Sequence, residues 1–295
     1  MELCLGTAQF GLAYGVTNAA GQVNRSEVAR LLALASSSAV RWLDTAQAYG
    51  EAETVLGACL PNGHRFTLIS KLPAQPADSF SAATELAWEA GLQQSLRRLG
   101  CSSLDGFLLH QAADLRRPDG DRLLAWLQSL RQRGLVRRIG VSIYGGAELE
   151  RLPLDQLQLV QLPLSLYDQR PLQDGTVARL EGQGIAIHAR SLYLQGLLLA
   201  PADQWPAWID PAFRQHHARL QSWAAAHGTS PLALALAFAR RCGGLEAAVV
   251  GVTREAELAE LLRHWNDPAD PGSIGDPERW AWPEGNSLDP RCWPR

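Results

Sequence analysis

Lysine is nearly missing from this chain. Lys71 stands alone among 27 basic residues; the other 26 are arginine. A bias of that kind acts on surfaces, where the two cations serve alike. It stops where chemistry needs a compact ammonium on a flexible stem, or a pKa that can move. Lys71 also ends the apolar run Phe66-Thr67-Leu68-Ile69-Ser70, which reads as a buried strand entering a loop. It is the first candidate for a catalytic group.

Other absences narrow the classes further. No run of 18 apolar residues occurs, so no membrane partner through a spanning helix is expected. Met1-Glu2-Leu3-Cys4-Leu5-Gly6 enters a strand at once, without the basic and apolar regions of a secretory leader. The five cysteines (Cys4, Cys59, Cys101, Cys242, Cys292) are odd in number, widely spaced and lack a CxxC pair. They read as reduced cytoplasmic thiols, with neither a disulfide frame nor a metal site. No long basic block exists and the net charge is −3, so nothing favours nucleic acid. No GxGxxG follows any predicted strand, so a Rossmann-type loop has no support.

What is present is alternation. Short apolar runs recur at Leu3–Gly6, Arg41–Asp44, Phe66–Lys71, Gly106–His110, Arg138–Ser142, Leu157–Gln161, Ala186–Arg190 and Ala247–Gly251. Amphipathic patterns follow them at Ser26–Ser36, Ala52–Cys59, Ser81–Leu99, Asp119–Arg133, Ala147–Arg151, Leu172–Gly182, Leu232–Arg241 and Glu255–Trp265. Strands alternating with helices predict parallel pairing, and eight such units predict a closed (β/α)8 TIM barrel of class α/β, as one domain over residues 1–265. An extra helix, roughly Pro211–His227, falls after the seventh strand. Residues 266–295 form a tail rich in Pro, Asp and Gly that carries Trp280, Trp282 and Trp293. Disordered tails are poor in tryptophan, so this one is expected to be ordered on the barrel. The three tryptophans would either wall the pocket or simply pack the tail down.

Three neighbouring strands deliver Asp44, Lys71 and His110 to the C-terminal rim, with Tyr49 one loop away. A free tyrosine has a pKa of about 10 and is a poor acid near neutrality. A nearby ammonium favours the phenolate, and a buried ammonium needs a carboxylate such as Asp44. A tuned proton donor beside an imidazole that orients a carbonyl oxygen suits carbonyl reduction.

Asp44-Thr45-Ala46 followed by Tyr49-Gly50, with Lys71 and His110 on the next two strands, closely resembles the aldo-keto reductase family; Leu5-Gly6-Thr7-Ala8-Gln9-Phe10-Gly11 is similar to its opening. The likeness covers Leu3 to about Trp265. It implies that Tyr49 is the general acid, Lys71 its pKa modulator, Asp44 the partner of Lys71 and His110 the orienter of the substrate carbonyl. It also implies a nicotinamide cofactor. Gly6 and Thr7 match the first loop, Ser142 and Gln161 the positions that hold the carboxamide, Arg190 the platform beside the ring, and Ser191, Leu192 and Gly196 the diphosphate loop. Gly251, Val252, Thr253 and Glu257 match the adenosine end.

The chain departs from the family at several points. Ile143 follows Ser142 where asparagine is usual, and Arg190 replaces an aromatic ring. Glu257 stands near the position of an arginine for the 2′-phosphate, and Leu261 near the usual asparagine. Arg254 and the family habit favour NADPH, with NAD as the alternative. The expected reaction interconverts an aldehyde or ketone with an alcohol; Ala189-Arg190-Ser191 resembles a bacterial branch associated with sugar-type substrates. Two other readings stay open: a regulatory, non-enzymatic barrel that binds a nicotinamide nucleotide, and an aldolase using Lys71 as a Schiff-base amine. No surface pattern announces an oligomer.

Overall fold

A computed structural model describes residues 1–38, 40–266 and 275–294. Eight strands close into a parallel barrel in sequence order: β1 (Glu2–Gly6), β2 (Val40–Asp44), β3 (Thr67–Leu72), β4 (Leu104–Leu109), β5 (Val136–Ser142), β6 (Leu159–Pro163), β7 (Ala186–Arg190) and β8 (Ala247–Gly251). β1 pairs with both β2 and β8, which closes the ring and leaves no open edge.

The interior explains why the rim is polar. Cys4, Trp42, Ile69, Leu108, Leu159 and Ala247 form one apolar layer inside the ring. Successive side chains of a strand alternate between its two faces. Two residues further along the same six strands stand Gly6, Asp44, Lys71, His110, Gln161 and Val249. The apolar layer is therefore the floor on which the polar rim sits. The intervening residues, such as Leu5, Leu43, Leu68, Phe107 and Val250, point outward into the core beneath the helices.

The helices are α1 (Ala8–Gly11), α2 (Arg25–Ser36), α3 (Ala52–Cys59), α4 (Ala82–Leu99), α5 (Gly120–Gln132), α6 (Arg170–Gln173), α7 (Thr176–Gly182), α8 (Pro211–Ala226), α9 (Pro231–Arg241), α10 (Glu255–Asn266) and α11 (Gly285–Leu288). Their caps are local. Ser81 and Thr84 form a capping box on α4, and Ser230 accepts from Ala233 N–H ahead of Pro231 on α9. α8 is the extra helix expected after β7.

Two helical expectations are corrected. The pattern at Ala147–Arg151 forms only short 3-10 turns, Gly146–Leu149 and Leu154–Gln156, because Pro153 interrupts so short a stretch. The pattern at Leu172–Gly182 breaks at Gly175, whose φ of 77° is left-handed, leaving α6 and α7. β6 also begins later than expected, which puts Gln161 at its middle.

The tail is described from Gly275 onward. Trp282 N–H donates to Tyr167 O at 2.9 Å, and Gln169 Nε2 donates to Pro277 O at 2.7 Å. Trp282 stacks on Phe213 of α8 with centroids 4.6 Å apart, and Trp280 is buried beside His216.

Candidate active site

Lys71 is completely buried, and three acceptors converge on its ammonium. Asp44 Oδ1 lies at 2.6 Å, the carbonyl of Thr45 at 3.0 Å and the hydroxyl of Tyr49 at 3.4 Å. An ammonium has three donors and no acceptor, so this set uses all of them. Asp44 Oδ2 accepts from Gln161 Nε2 at 2.8 Å. The Asp44 carbonyl in turn accepts from the N–H and hydroxyl of Thr7, at 2.9 and 3.0 Å. A planar guanidinium would not meet three convergent acceptors in a closed space. That is the physical reason this position escapes the chain's preference for arginine.

The charges work on one another. Burial pushes the Lys71 ammonium toward losing its proton, but Asp44 and then Tyr49 outweigh it and hold its pKa above the ordinary value. Burial raises the Tyr49 phenol above its ordinary value; the Lys71 charge opposes this without cancelling it. The His110 ring stands edge-on to Tyr49, with centroids 5.6 Å apart. Burial, then the Lys71 charge, lowers the His110 pKa to about 4. At neutral pH the imidazole is thus uncharged and retains one N–H donor. A Schiff-base role needs an accessible neutral amine, which this buried, ion-paired lysine does not present.

The loop that carries Tyr49 is held from two sides. A Cβ on Gly11 would fall 1.9 Å from the Tyr49 carbonyl oxygen, and one on Gly50, at φ +55°, 2.4 Å from Gly11 O. The two backbones pass too close for any other residue. Behind them lies Glu53 of α3, which is buried. It accepts from Ser70 Oγ at 2.7 Å and from Ser95 Oγ at 3.1 Å, and Ser95 accepts from Gln47 Nε2 at 3.0 Å. Ser70 precedes Lys71 and Gln47 lies two residues before Tyr49, so one carboxylate braces both. Sequence reading missed Glu53. Its signal was a carboxylate three and four residues before Leu56 and Gly57, on the apolar face of its helix.

A cavity of ≈ 690 Å³ runs from Tyr49 and His110 across the barrel mouth to the loops after β7 and β8. Every catalytic and cofactor-binding residue expected from the sequence lines it except Lys71, which lies buried behind Tyr49. Ser142 sits beside Gln161 at the ends of paired strands. Arg190 donates to Ser191 Oγ and to the Ile143 carbonyl, and its guanidinium lies 4.2 Å from the ring centroid of Tyr144. After β7, Ser191, Leu194, Gln195 and Gly196 all have positive φ. Such left-handed runs make concave backbone nests. The loop after β1 meets this one: a Cβ on Gly196 would lie 2.0 Å from Thr17 Oγ1. Tyr14 and Tyr144 line the cavity and escaped the sequence reading. Trp280, Trp282 and Trp293 do not line it. Instead Arg291 of the tail stacks on Tyr144 at 3.8 Å.

Beyond β8, a carboxylate from the first turn of α10 closes the entry to that helix. Glu257 reaches back to accept from Thr253 N–H at 2.7 Å and from its hydroxyl at 3.1 Å. Glu257 Oε1 also accepts from Arg254 Nε and Nη2, at 3.1 and 3.0 Å.

The chain matches the model of the aldo/keto reductase family over residues 2–276. It is 30% identical over 140 residues to an aldo-keto reductase of Mycolicibacterium smegmatis, a stretch that spans 45% of this chain and 45% of that relative. Two solved structures share the fold. A Pseudomonas aeruginosa protein assigned to the aldo-keto reductases superposes with a TM-score of 0.65 at 22% identity, over 90% of this chain and 89% of its own. The holo form of an aldo-keto reductase from Bacillus halodurans superposes with 0.73 at 17% identity, over 95% and 92%. With the family model covering nearly all its length, the chain belongs to the aldo/keto reductase family.

Proposed function

We propose that this chain reduces the carbonyl of an aldehyde or ketone to an alcohol, with Tyr49 as general acid. The observation that carries the reading is the fully buried Lys71 ammonium, 2.6 Å from Asp44 and 3.4 Å from the Tyr49 hydroxyl. A reduced nicotinamide, when bound, supplies hydride to the carbonyl carbon. The chain's own groups handle the oxygen. His110, uncharged, donates its N–H to the carbonyl oxygen and fixes its position over Tyr49. Tyr49 gives up its proton as negative charge develops on that oxygen. The phenolate left behind is stabilised by the Lys71 ammonium, whose own charge is held by Asp44. Tyr49 rests protonated because burial raises its pKa, so the acid is loaded at neutral pH.

The donor set suits a nicotinamide dinucleotide. Ser142 and Gln161 stand where the carboxamide would lie, although the Gln161 amide nitrogen is already given to Asp44. The left-handed residues Ser191, Leu194, Gln195 and Gly196 offer a nest for the diphosphate, beside Gly6, Thr7 and Leu192. Gly251, Val252, Thr253 and Glu257 would enclose the adenosine end. The NADPH preference expected from Arg254 loses its support, because that guanidinium is paired with Glu257. We extend the substrate reading to sugar-type carbonyl compounds, which the polar wall of Tyr14, Tyr144 and Arg190 favours.

The test is oxidation of NADH and NADPH with an activated aromatic aldehyde and a panel of sugars, in wild type and Tyr49→Phe. The mutant should lose about 10²-fold or more in kcat while cofactor binding persists. A mutant with unchanged kcat would sink the assignment of Tyr49.

A further inference from the structure

We propose that Glu257 makes this chain select NADH over NADPH: its carboxylate accepts from the 2′-hydroxyl of the adenosine ribose and repels a phosphate at that position. The proposal rests on the nicotinamide-cofactor reading above. The cavity has Tyr49 and His110 at its mouth over β2 and β4, and Glu257 beyond β8, across the ring from β4 and two strands from β2. With the nicotinamide at Tyr49, the adenosine half of a dinucleotide extends toward Glu257.

Three observations make that end hostile to an added phosphate. Among the described residues that line the cavity, the guanidinium groups are Arg190 and Arg254. Arg190 stands on β7 against Tyr144, and Arg254 makes a two-pronged contact with Glu257 Oε1. Two backbone donors at the start of α10 are also taken. Thr253 N–H goes to Glu257, and Glu255 N–H goes to Glu27 Oε1 at 2.6 Å. The usual welcome of a helix N-terminus for a phosphate is thus already answered by carboxylates. Finally, the local charge is negative. The ion pairs among the described residues here set Glu27, Glu255 and Glu257 against Arg30 and Arg254, with Arg30 pairing with both Glu27 and Glu255. The carboxyl of Glu27 titrates below its ordinary value, chiefly because it accepts the Glu255 N–H, and so stays charged at neutral pH.

A ribose hydroxyl meets the opposite reception. Glu257 is positioned by the Thr253 N–H rather than free to swing away, and its carboxylate can take a ribose hydroxyl in exchange for the longer contact from the Thr253 hydroxyl at 3.1 Å. Dinucleotide folds of unrelated architecture use an acidic side chain on the ribose 2′-hydroxyl for the same discrimination. Arg254 could release a phosphate-binding fork only by breaking its pair and leaving Glu257 bare beside the new anion.

The experiment measures dissociation constants for NADH and NADPH by quenching of the intrinsic tryptophan fluorescence, at low and high salt, for wild type and Glu257→Gln. The wild type should bind NADH at least tenfold tighter, and added salt should narrow the ratio by screening the repulsion. Glu257→Gln should narrow it about tenfold, mainly by tightening NADPH. NADPH bound as tightly as NADH by wild type overturns the proposal, as does a ratio that neither salt nor Glu257→Gln changes. The wild-type ratio and its salt dependence decide the matter even if the variant folds poorly. Failure to bind either nucleotide would instead overturn the cofactor reading itself, and the selectivity with it.

Discussion

Lys71 and Asp44 meet at 2.6 Å with neither side chain open to water, and the same ammonium reaches Tyr49 Oη at 3.4 Å. On the proposed mechanism the pair couples stability to catalysis. Removing one member leaves the other as an uncompensated buried charge. Lys71→Met should cost about 3–5 kcal/mol of folding free energy, read by urea denaturation. Lys71→Arg keeps the charge but not the three-way geometry. It should cost less stability than Lys71→Met, since the pair keeps its charge, and lose about 10²-fold in kcat. Wild-type turnover in Lys71→Arg would remove the argument for the solitary lysine.

The pH profile follows from two shifted groups. Tyr49 must hold its proton to act as acid, and its pKa lies above the ordinary value. Reduction should be lost as pH rises through that raised pKa, beyond about 10. His110 titrates at about 4, so it stays neutral across the middle range and protonates only below. The value of kcat/KM for reduction should be flat between about pH 5 and 9. A limb near pH 6.5 that disappears in His110→Gln would contradict this.

Gly11 and Gly50 hold the Tyr49 loop by close backbone approach. Gly11→Ala places a methyl 1.9 Å from the Tyr49 carbonyl, so the loop must shift. A displacement near 1 Å can cost about 10²-fold in rate. We expect kcat to fall more than KM rises. Gly145→Ala is the control: its φ is −169°, and an added Cβ meets nothing within 4 Å. Equal effects of the two substitutions on kcat would refute the bracing role.

Glu246 ties the lower end of the barrel, accepting from Arg138 Nη1 at 2.7 Å and lying 2.7 Å from His188 Nε2. Burial pushes its carboxyl up, but His188 and Arg138 outweigh that and bring it to about 2. A depressed carboxyl contributes stability above its unfolded pKa, and that contribution fades as pH falls toward 2. Its side chain is 36% exposed, so the contribution is discounted to about 1 kcal/mol. Glu246→Gln should lower Tm by about 2 °C at pH 7, and by less at pH 3. A gap that widens on acidification would be the wrong sign.

The sequence by itself determined the barrel and the four polar residues of its rim. Strand alternation is a property of the backbone, so a run such as Phe66–Ser70 announces both a strand and the face on which Lys71 will lie. The lone lysine could be read because composition is a whole-chain quantity. Helix ends were legible where a cap is local, as at Ser81 and Ser230, and illegible where Pro153 and Gly175 broke weak patterns. Only the tertiary structure decided the rest. Glu53 shows its place on an apolar face, but its partner appears only when α4 brings Ser95 against it. The tail tryptophans could have walled the cavity; α8 drew Trp282 to Phe213 and Trp280 to His216 instead, and Trp293 packs on Trp208. Arg254 looked like a phosphate ligand until Glu257 turned back onto it. In each case the deciding partner was chosen by three-dimensional packing, whereas periodicity and composition report only what neighbours along the chain can do.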